Sequence, residues 1–372
     1  MEAKNLDCMI LTSIHNIKYY TNYLYCKFGR NYACTVTAND INLVVAAIDS
    51  GNPWRRCVGD CRTSTYTDWS KGNFFEELKP LNVTPIKSVG FEADHMTVQM
   101  FDNIKKIFSV AEFVNVSQDL MEFRLIKSEA EIGIIRSAAQ IANKACDYII
   151  RSCVGRTEVS VANDAIKLMN ELICKEFPES EFRDTWVWLQ SGINTDGAHN
   201  ALTSRVIRDG DILSINCFPM IDGYYVALER TASVGRPSPE RLRYWNINCK
   251  VFERGIDMIK PGVKVKDIAL QLNKIYEKYG LLKYRTFGYG HSFGVLSHYY
   301  GREIILEIRE DNETILQPGM VVSMEPHITI PDELDGGGGY REHDILLVTE
   351  TGNVNLTNYK YGPSNLTIYS KL

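Results

Sequence analysis

Short apolar runs and one periodic stretch make up the first third of the chain. The runs lie at residues 8–12, 32–37 and 41–49, and the periodic stretch lies at 96–108. Runs of this length are typical of buried strands, whereas apolar residues spaced three and four apart indicate an amphipathic helix. The pattern predicts a small N-terminal α/β domain over residues 1–120.

A long helical pattern opens the remainder of the chain, residues 121–372. Ser128 and Glu131 have the spacing of a capping box, after which apolar residues recur three or four positions apart: Ile132, Ile135, Ala139, Ala142, Cys146 and Ile149. Further helices are predicted at residues 161–176, 241–260 and 265–279. Four consecutive glycines at 336–339 are most simply a flexible turn.

A predicted hairpin joins the extended apolar runs 211–221 and 224–233 through Asp222-Gly223, a dipeptide that favours a type I′ turn. This turn sets the register, so that the following pairs face each other: Ile221 and Tyr224, Met220 and Tyr225, Phe218 and Ala227, Asn216 and Glu229. One face then carries an amide, a small alanine, a phenol and a carboxylate. We interpret that face as functional, because a structural face would be Val, Ile or Leu throughout.

Composition and charge exclude several classes of partner. The 372 residues include 41 Lys and Arg against 46 Asp and Glu, a formal net charge of −5, so no positive field attracts nucleic acid or anionic lipid. No apolar run approaches the roughly 20 residues that cross a bilayer. With no secretion signal, the ten cysteines are interpreted as reduced thiols. We therefore expect a cytoplasmic protein that binds neither nucleic acid nor membrane.

Two later segments place histidine near acidic side chains. One is the glycine-rich segment 288–294 around His291, and the other combines Glu325 with residues 340–345 around His343. Taken alone, each of these two segments is better explained by a structural role than by a catalytic one. Together with the hairpin face, they resemble the pita-bread family of metallopeptidases, which includes methionine aminopeptidases and prolidases. The resemblance implies a C-terminal pita-bread domain over residues 121–372, and hence an α/β (α+β) fold class.

The metal-ligand positions of that family are altered in this chain. The family binds two metal ions with Asp, Asp, His, Glu and Glu, and its two aspartates lie eleven residues apart across a hairpin. Asn216 and Ala227 stand at those two positions here. His291 and Glu325 match the third and fourth ligands, whereas His343 replaces the last glutamate. Because hard divalent ions need oxygen ligands, we predict no metal and no other cofactor.

These substitutions resemble the creatinases, metal-free members of the fold that hydrolyse creatine to sarcosine and urea. The resemblance extends along most of the chain, through residues 25–30, 53–56, 191–200, 227–231, 287–303 and 340–345. It implies a homodimer in which each active site combines the second domain of one chain with the first domain of its partner.

The resemblance also assigns substrate contacts. Creatine has a guanidinium at one end, for which Glu229 and Glu325 would accept N–H bonds. Its carboxylate would be held by Arg30 and Arg302, whose planar guanidinium groups match it. Phe28 would pack on the methyl group.

His199 is the candidate general base and acid of this proposed reaction. Histidine changes charge near neutral pH, so it can take a proton from water and return it to the departing nitrogen. His291 and His343 are expected to orient or hydrogen-bond the substrate. Tyr225, from the hairpin face, completes the predicted substrate-binding set.

Three alternatives stay open. Residues 290–294 fit a G-x-S-x-G nucleophile elbow with Ser292 as nucleophile, although no amphipathic helix pattern follows. A metallopeptidase acting on Xaa-Pro dipeptides would differ in its metal content and peptide turnover. A non-catalytic pita-bread module would bind a peptide or protein partner, but the charges that suit a zwitterion argue against it.

Overall fold

The computed structural model describes residues 1–26, 28–57, 59, 61–67, 73–80, 85–181, 184–297, 303 and 305–369. They form two compact units, Met1–Phe123 and the described residues from Arg124 onward. The division falls three residues after the predicted end of the first domain at residue 120. No helix in these ranges combines the length and apolar character needed to cross a bilayer.

The first unit is a six-stranded sheet with helices between its strands, which is the predicted α/β architecture. Its strand order is β4-β3-β2-β1-β5-β6. A core of apolar side chains lies between the sheet and its helices, including Ile10, Val44, Val89 and Ile104. The elements are β1 (Cys8–Leu11), α1 (Ile14–Thr21), β2 (Ala33–Val36), β3 (Ile41–Ala46), α2 (Pro53–Arg56), β4 (Arg62–Tyr66), α3 (Phe74–Glu77), β5 (Ser88–Phe91), α4 (Val98–Ile107), β6 (Glu112–Asn115) and α5 (Ser117–Leu125).

The second unit is built on a larger sheet with central strand order β12-β14-β11-β8-β7. Helix α6 packs on α7 and β8, while α8 packs on α9 and β14. The elements are α6 (Glu129–Ser152), α7 (Glu158–Glu176), β7 (Trp186–Ser191), β8 (Ile212–Phe218), β9 (Met220–Ile221), β10 (Tyr224–Tyr225), β11 (Leu228–Val234), α8 (Pro239–Met258), α9 (Val265–Lys278), β12 (Val321–Met324), β13 (His327–Ile330), β14 (Gly338–Val348), β15 (Asn353–Asn355), α10 (Pro363–Leu366) and β16 (Thr367–Ile368).

Local signals place the helices of the second unit. Ser128 and Glu131 form the predicted capping box at the start of α6, and all six apolar positions of its pattern are buried. Helix α7 begins at Glu158, earlier than residue 161, because the side chain of Thr157 accepts a hydrogen bond from the Ser160 N–H and so caps the helix.

The predicted hairpin register is confirmed. Tyr224 pairs with Ile221, and Glu229 pairs with Asn216. Asp222 and Gly223 both have positive φ, 49° and 83°, as a type I′ turn requires. The sheet face that carries Asn216 and Glu229 is therefore the predicted one.

The glycine run at 336–339 is not a flexible turn throughout, so that prediction was wrong. Gly338 and Gly339 lie buried at the start of β14. A methyl group on Gly339 would overlap the carbonyl oxygen of Thr195. The absence of a side chain thus lets the segment around Thr195 approach the sheet closely, which is the physical reason for glycine at this position.

Candidate active site

One row of side chains crosses the sheet of the second unit. Trp188 on β7 pairs with Asn216 on β8, which pairs with Glu229 on β11, which pairs with His343 on β14. Residues directly opposite each other on neighbouring strands project from the same face. Met324 pairs with Asp344, so Glu325, the next residue along the chain, follows β12 level with His343. The row therefore joins positions far apart in sequence.

A cavity of about 440 Å³ lies over this row. It is lined by Trp188, Ala198, His199, Glu229, Thr286, Phe287, His291, Glu325 and Arg341. Four predicted site residues, two histidines and two glutamates, therefore share one cavity within the second unit. His343 lies fully buried beneath them.

His343 lies between the two carboxylates. Its Nδ1 is 3.1 Å from Oε2 of Glu325 and 3.4 Å from Oε1 of Glu229. Burial alone would lower the pKa of His343, but the charges of Glu325 and Glu229 outweigh burial and raise its pKa above the ordinary value. The two carboxylates therefore favour the protonated form of the His343 ring.

Arg341 is the main site residue that the sequence analysis missed. Its Nη1 donates to Oε2 of Glu229 at 2.9 Å and to Oδ1 of Asn216 at 3.2 Å, and the side chain is buried. Arg341 precedes His343 by two residues on β14, so both project from one face of the strand. That period of two was the available signal.

His291 lies near one carboxylate oxygen of Glu325, and His343 lies near the other. The Nδ1 of His291 lies 2.8 Å from the carbonyl oxygen of Ser292 and must carry the hydrogen, because a carbonyl only accepts. Its other ring nitrogen, Nε2, lies 3.4 Å from Oε1 of Glu325. A methyl group on Gly290 would overlap the carbonyl oxygen of Ser323. The glycine at this position thus allows the His291 segment to lie against β12.

The nucleophile-elbow hypothesis is not supported. Ser292 is fully buried, and its Oγ accepts a hydrogen bond from the N–H of Glu303 at 3.1 Å. The described residues after it, 293–297, form a turn rather than a helix. A hydroxyl held in this way is not presented to a substrate.

His199 lies in an exposed loop at the edge of the cavity. Its ring centroid is 5.3 Å from that of Trp188. The buried carboxylate of Glu158 holds the base of this loop, because it accepts hydrogen bonds from side-chain or backbone groups of Ser191, Asn194 and Thr203. His199 was predicted from the sequence, whereas Trp188 and Glu158 were not.

Of the remaining predicted substrate-binding residues, Tyr225 belongs to the second unit and does not line this cavity. Tyr225 is buried and its hydroxyl donates to the carbonyl oxygen of Asp184 at 2.9 Å. Phe28 and Arg30 belong to the first unit, where Phe28 is 78% exposed and Arg30 is half-buried. Arg302 lies outside the described residues. The roles of these four residues stay predictions.

Glu229, Glu325 and His343 form a group that could hold a metal ion, since their nearest ligand atoms all fall within 4.8 Å of one another. Glu325 and His343 stand at ligand positions of the metallopeptidases, whereas Glu229 does not. A divalent ion needs ionised carboxylates and a histidine with a free lone pair. In this chain Arg341 already donates to Glu229, and the pKa of His343 is raised. Glu229 is therefore already paired with a positive charge, and the His343 ring favours its protonated form. This group of residues consequently fits a divalent ion poorly.

Known proteins resemble both units. The family model described as "Metallopeptidase family M24" matches residues 133–350. The family model described as "Creatinase/Prolidase N-terminal domain" matches residues 1–126. The creatinase of Bacillus sp. (strain B-0618) is 49% identical over 98% of this chain and 89% of its own length. The Xaa-Pro dipeptidase of Pyrococcus horikoshii is 30% identical over 73% of each chain.

Solved structures agree on the fold. The prolidase of Pyrococcus horikoshii has a TM-score of 0.82 at 24% identity, over 97% of this chain and 96% of its own. An identity of 24% to this solved structure shows only a shared fold. The 49% identity to the Bacillus creatinase over nearly the whole chain shows the family. The chain therefore belongs to metallopeptidase family M24 and, within it, to the creatinases.

Proposed function

We propose that this protein hydrolyses creatine to sarcosine and urea. The observation that carries the chemistry is the pair of buried carboxylates, Glu229 and Glu325, that faces one cavity together with His199. The similarity to the Bacillus creatinase supports the choice of substrate. A small zwitterionic substrate suits a cavity of about 440 Å³.

The carboxylates bind the guanidinium end of creatine. An ionised carboxylate offers about four lone-pair sites, so Arg341 and His343 leave further acceptor capacity on Glu229 and Glu325. The rings of His291 and His343 flank Glu325, with nitrogen atoms 3.4 Å and 3.1 Å from its two carboxylate oxygens, and so restrict its orientation.

His199 supplies the proton transfers. Its imidazole takes a proton from water, and the hydroxide attacks the amidino carbon to form a tetrahedral intermediate. The same proton then passes to the sarcosine nitrogen as the C–N bond breaks. The hydroxyl proton that remains on the amidino carbon's oxygen is lost to solvent, which gives urea and sarcosine. A positioned acid–base group of this kind contributes about 10²- to 10⁴-fold to rate.

Turnover is expected to be independent of metal. EDTA-treated protein, with its metal content measured, should convert creatine to equal amounts of urea and sarcosine at the untreated rate. The reason is that the Arg341 guanidinium, which donates to Glu229, already supplies positive charge at the carboxylates that a metal would need. Loss of activity with EDTA and its return with Mn²⁺ or Co²⁺ would contradict this mechanism.

The alternative of an Xaa-Pro dipeptidase is favoured by one observation, the clustering of Glu229 with Glu325 and His343, the last two of which stand at ligand positions of the metallopeptidases. The same preparation therefore includes a second substrate, an Xaa-Pro dipeptide, with and without Mn²⁺. Metal-dependent cleavage of that dipeptide without urea formation from creatine would replace our proposal by the alternative.

We also propose a homodimer with shared active sites, in which Phe28 and Arg30 act in the site of the partner chain. The resemblance to creatinases suggests the arrangement. The 78% exposure of the Phe28 side chain supports it, because an aromatic ring this exposed in one chain is typical of a contact surface. Arg30 would then hold the creatine carboxylate across the interface.

Gly339→Ala is expected to reduce kcat by about tenfold, because a displacement of about 1 Å from an ideal catalytic geometry is already costly. The added methyl group would overlap the carbonyl oxygen of Thr195 and push the segment that leads to His199 away from the sheet. Gly352→Ala is the matched control, since a methyl group there meets no atom within 4 Å. Equal activity of the two variants would contradict the expected displacement.

A further inference from the structure

A buried glutamine lies behind the loop that carries His199. Gln190 is on β7, two residues after Trp188, and is fully buried. Its Nε2 lies 2.9 Å from the carbonyl oxygen of Gly197, 3.0 Å from that of Asn200 and 3.5 Å from that of Ala198. These carbonyl groups lie on both sides of His199 in the sequence.

The contacts of this amide indicate a specific task. An amide nitrogen carries two hydrogens, so the two shorter contacts, to Gly197 and Asn200, use both donors. The other half of the amide, Oε1, is buried without a hydrogen-bond partner among the described residues. A buried amide whose oxygen accepts no hydrogen bond lowers stability. The glutamine is therefore better explained by the carbonyl groups that its nitrogen binds.

The rest of the loop has other supports. Glu158 binds its base, and the side-chain amide of Asn200 donates to the carbonyl oxygen of Asn194 at 3.0 Å and to Oδ1 of Asp196 at 2.6 Å. Gln190 instead reaches the tip of the loop, at the residues next to His199. Strand β7 thus contacts the histidine segment twice, with the Trp188 ring against the imidazole and the Gln190 amide against the backbone.

We propose that Gln190 is the positioning residue for His199. By binding carbonyl groups before and after the histidine, it sets the direction in which the imidazole projects into the cavity. The catalytic part of this inference rests on the proposed function, whereas the positioning of the ring does not.

Gln190→Met tests the proposal, since methionine has a similar length and no donor. We expect kcat for creatine to fall about 10- to 100-fold while KM changes less than about threefold, because Glu229 and Glu325 stay in place. Gln140→Met is the matched control. Gln140 is exposed on α6 and donates to the carbonyl oxygen of Leu356 at 3.4 Å, so its variant should retain wild-type kinetics.

A double-mutant cycle with His199→Ala distinguishes positioning from general stability. If Gln190 acts through His199, adding Gln190→Met to His199→Ala should lower the residual activity less than about twofold. A full 10- to 100-fold further loss would overturn the proposal. If Gln190→Met unfolds too readily, the nearly isosteric Gln190→Glu replaces the donors by oxygens that repel the carbonyl groups, and should give at least the same loss.

An NMR measurement makes the proposal independent of turnover. The ring resonance of His199 in ¹³C-histidine-labelled protein, identified by its loss in His199→Ala, should shift by more than its linewidth in Gln190→Met and not in Gln140→Met. An unchanged resonance in Gln190→Met would overturn the positioning role whether or not creatine is hydrolysed. A shifted resonance in a protein that does not hydrolyse creatine would instead reject the proposed function and retain the positioning role.

Discussion

His199→Ala is expected to lower kcat for creatine by at least about a hundredfold, with little change in KM. The guanidinium carbon is a weak electrophile because resonance spreads its charge, so attack needs an activated water and a protonated leaving nitrogen. His199, Glu229 and Glu325 all line the cavity, and we propose that the two carboxylates bind the guanidinium. Removing the imidazole therefore affects the chemical step and leaves substrate binding in place. Steady-state kinetics with urea detection measures both parameters.

A histidine of the first unit provides the control for this substitution. His95 is exposed, and its Nδ1 lies 3.2 Å from Oγ1 of Thr12. His95→Ala should retain wild-type kcat and KM. A small drop in kcat with a large rise in KM for His199→Ala would instead make His199 a binding residue, and the proton transfers would need another group.

Mixing two inactive variants is expected to restore about a quarter of wild-type activity. Arg30→Ala and His199→Ala homodimers should each be nearly inactive, because one loses the carboxylate contact and the other the general base. If each site takes Arg30 from one chain and His199 from its partner, a mixed dimer has one site with both lesions and one with neither. Random pairing makes half of the dimers mixed, and half of their sites are intact. Co-refolding followed by a urea assay measures the recovery.

A second mixture is the matched control for this complementation. His199→Ala and Glu325→Gln both lie in the second unit, so every site of their mixed dimers carries one lesion, and no recovery is expected. If the first mixture also stays inactive although mixed dimers have formed, Arg30 acts in the site of its own chain. The assignment of Arg30 to the partner's site would then be dropped.

The register of the site was predictable, whereas its charge pairs were not. The Asp222-Gly223 turn and the period of two placed Asn216 opposite Glu229, as the structure confirms. Arg341 was missed because its significance depends on Glu229, 112 residues away in sequence. The period of two on β14 places Arg341 on the same face as His343, but the carboxylate that it contacts is known only once the strands are paired.

The role of the glycine run also depends on a segment that is remote in sequence. The run at 336–339 was predicted to be a flexible turn, because four glycines together have no local preference for a strand. Its role became evident only from the close approach of Thr195 to Gly339. Gln190 is a similar case, because a glutamine in a strand has no distinctive pattern until the loop of His199 is folded over it.

The sequence by itself determined the architecture of the first domain, the capped helix α6 and the face of the hairpin, because each depends on residues close together in the chain. It also determined which histidines and glutamates to consider, through their resemblance to a known family. Only the tertiary structure decided which polar side chains meet, including Arg341 with Glu229 and Gln190 with the His199 loop. The physical reason is that contacts between remote segments depend on strand order and on close backbone approach, and both arise only when the sheet is assembled.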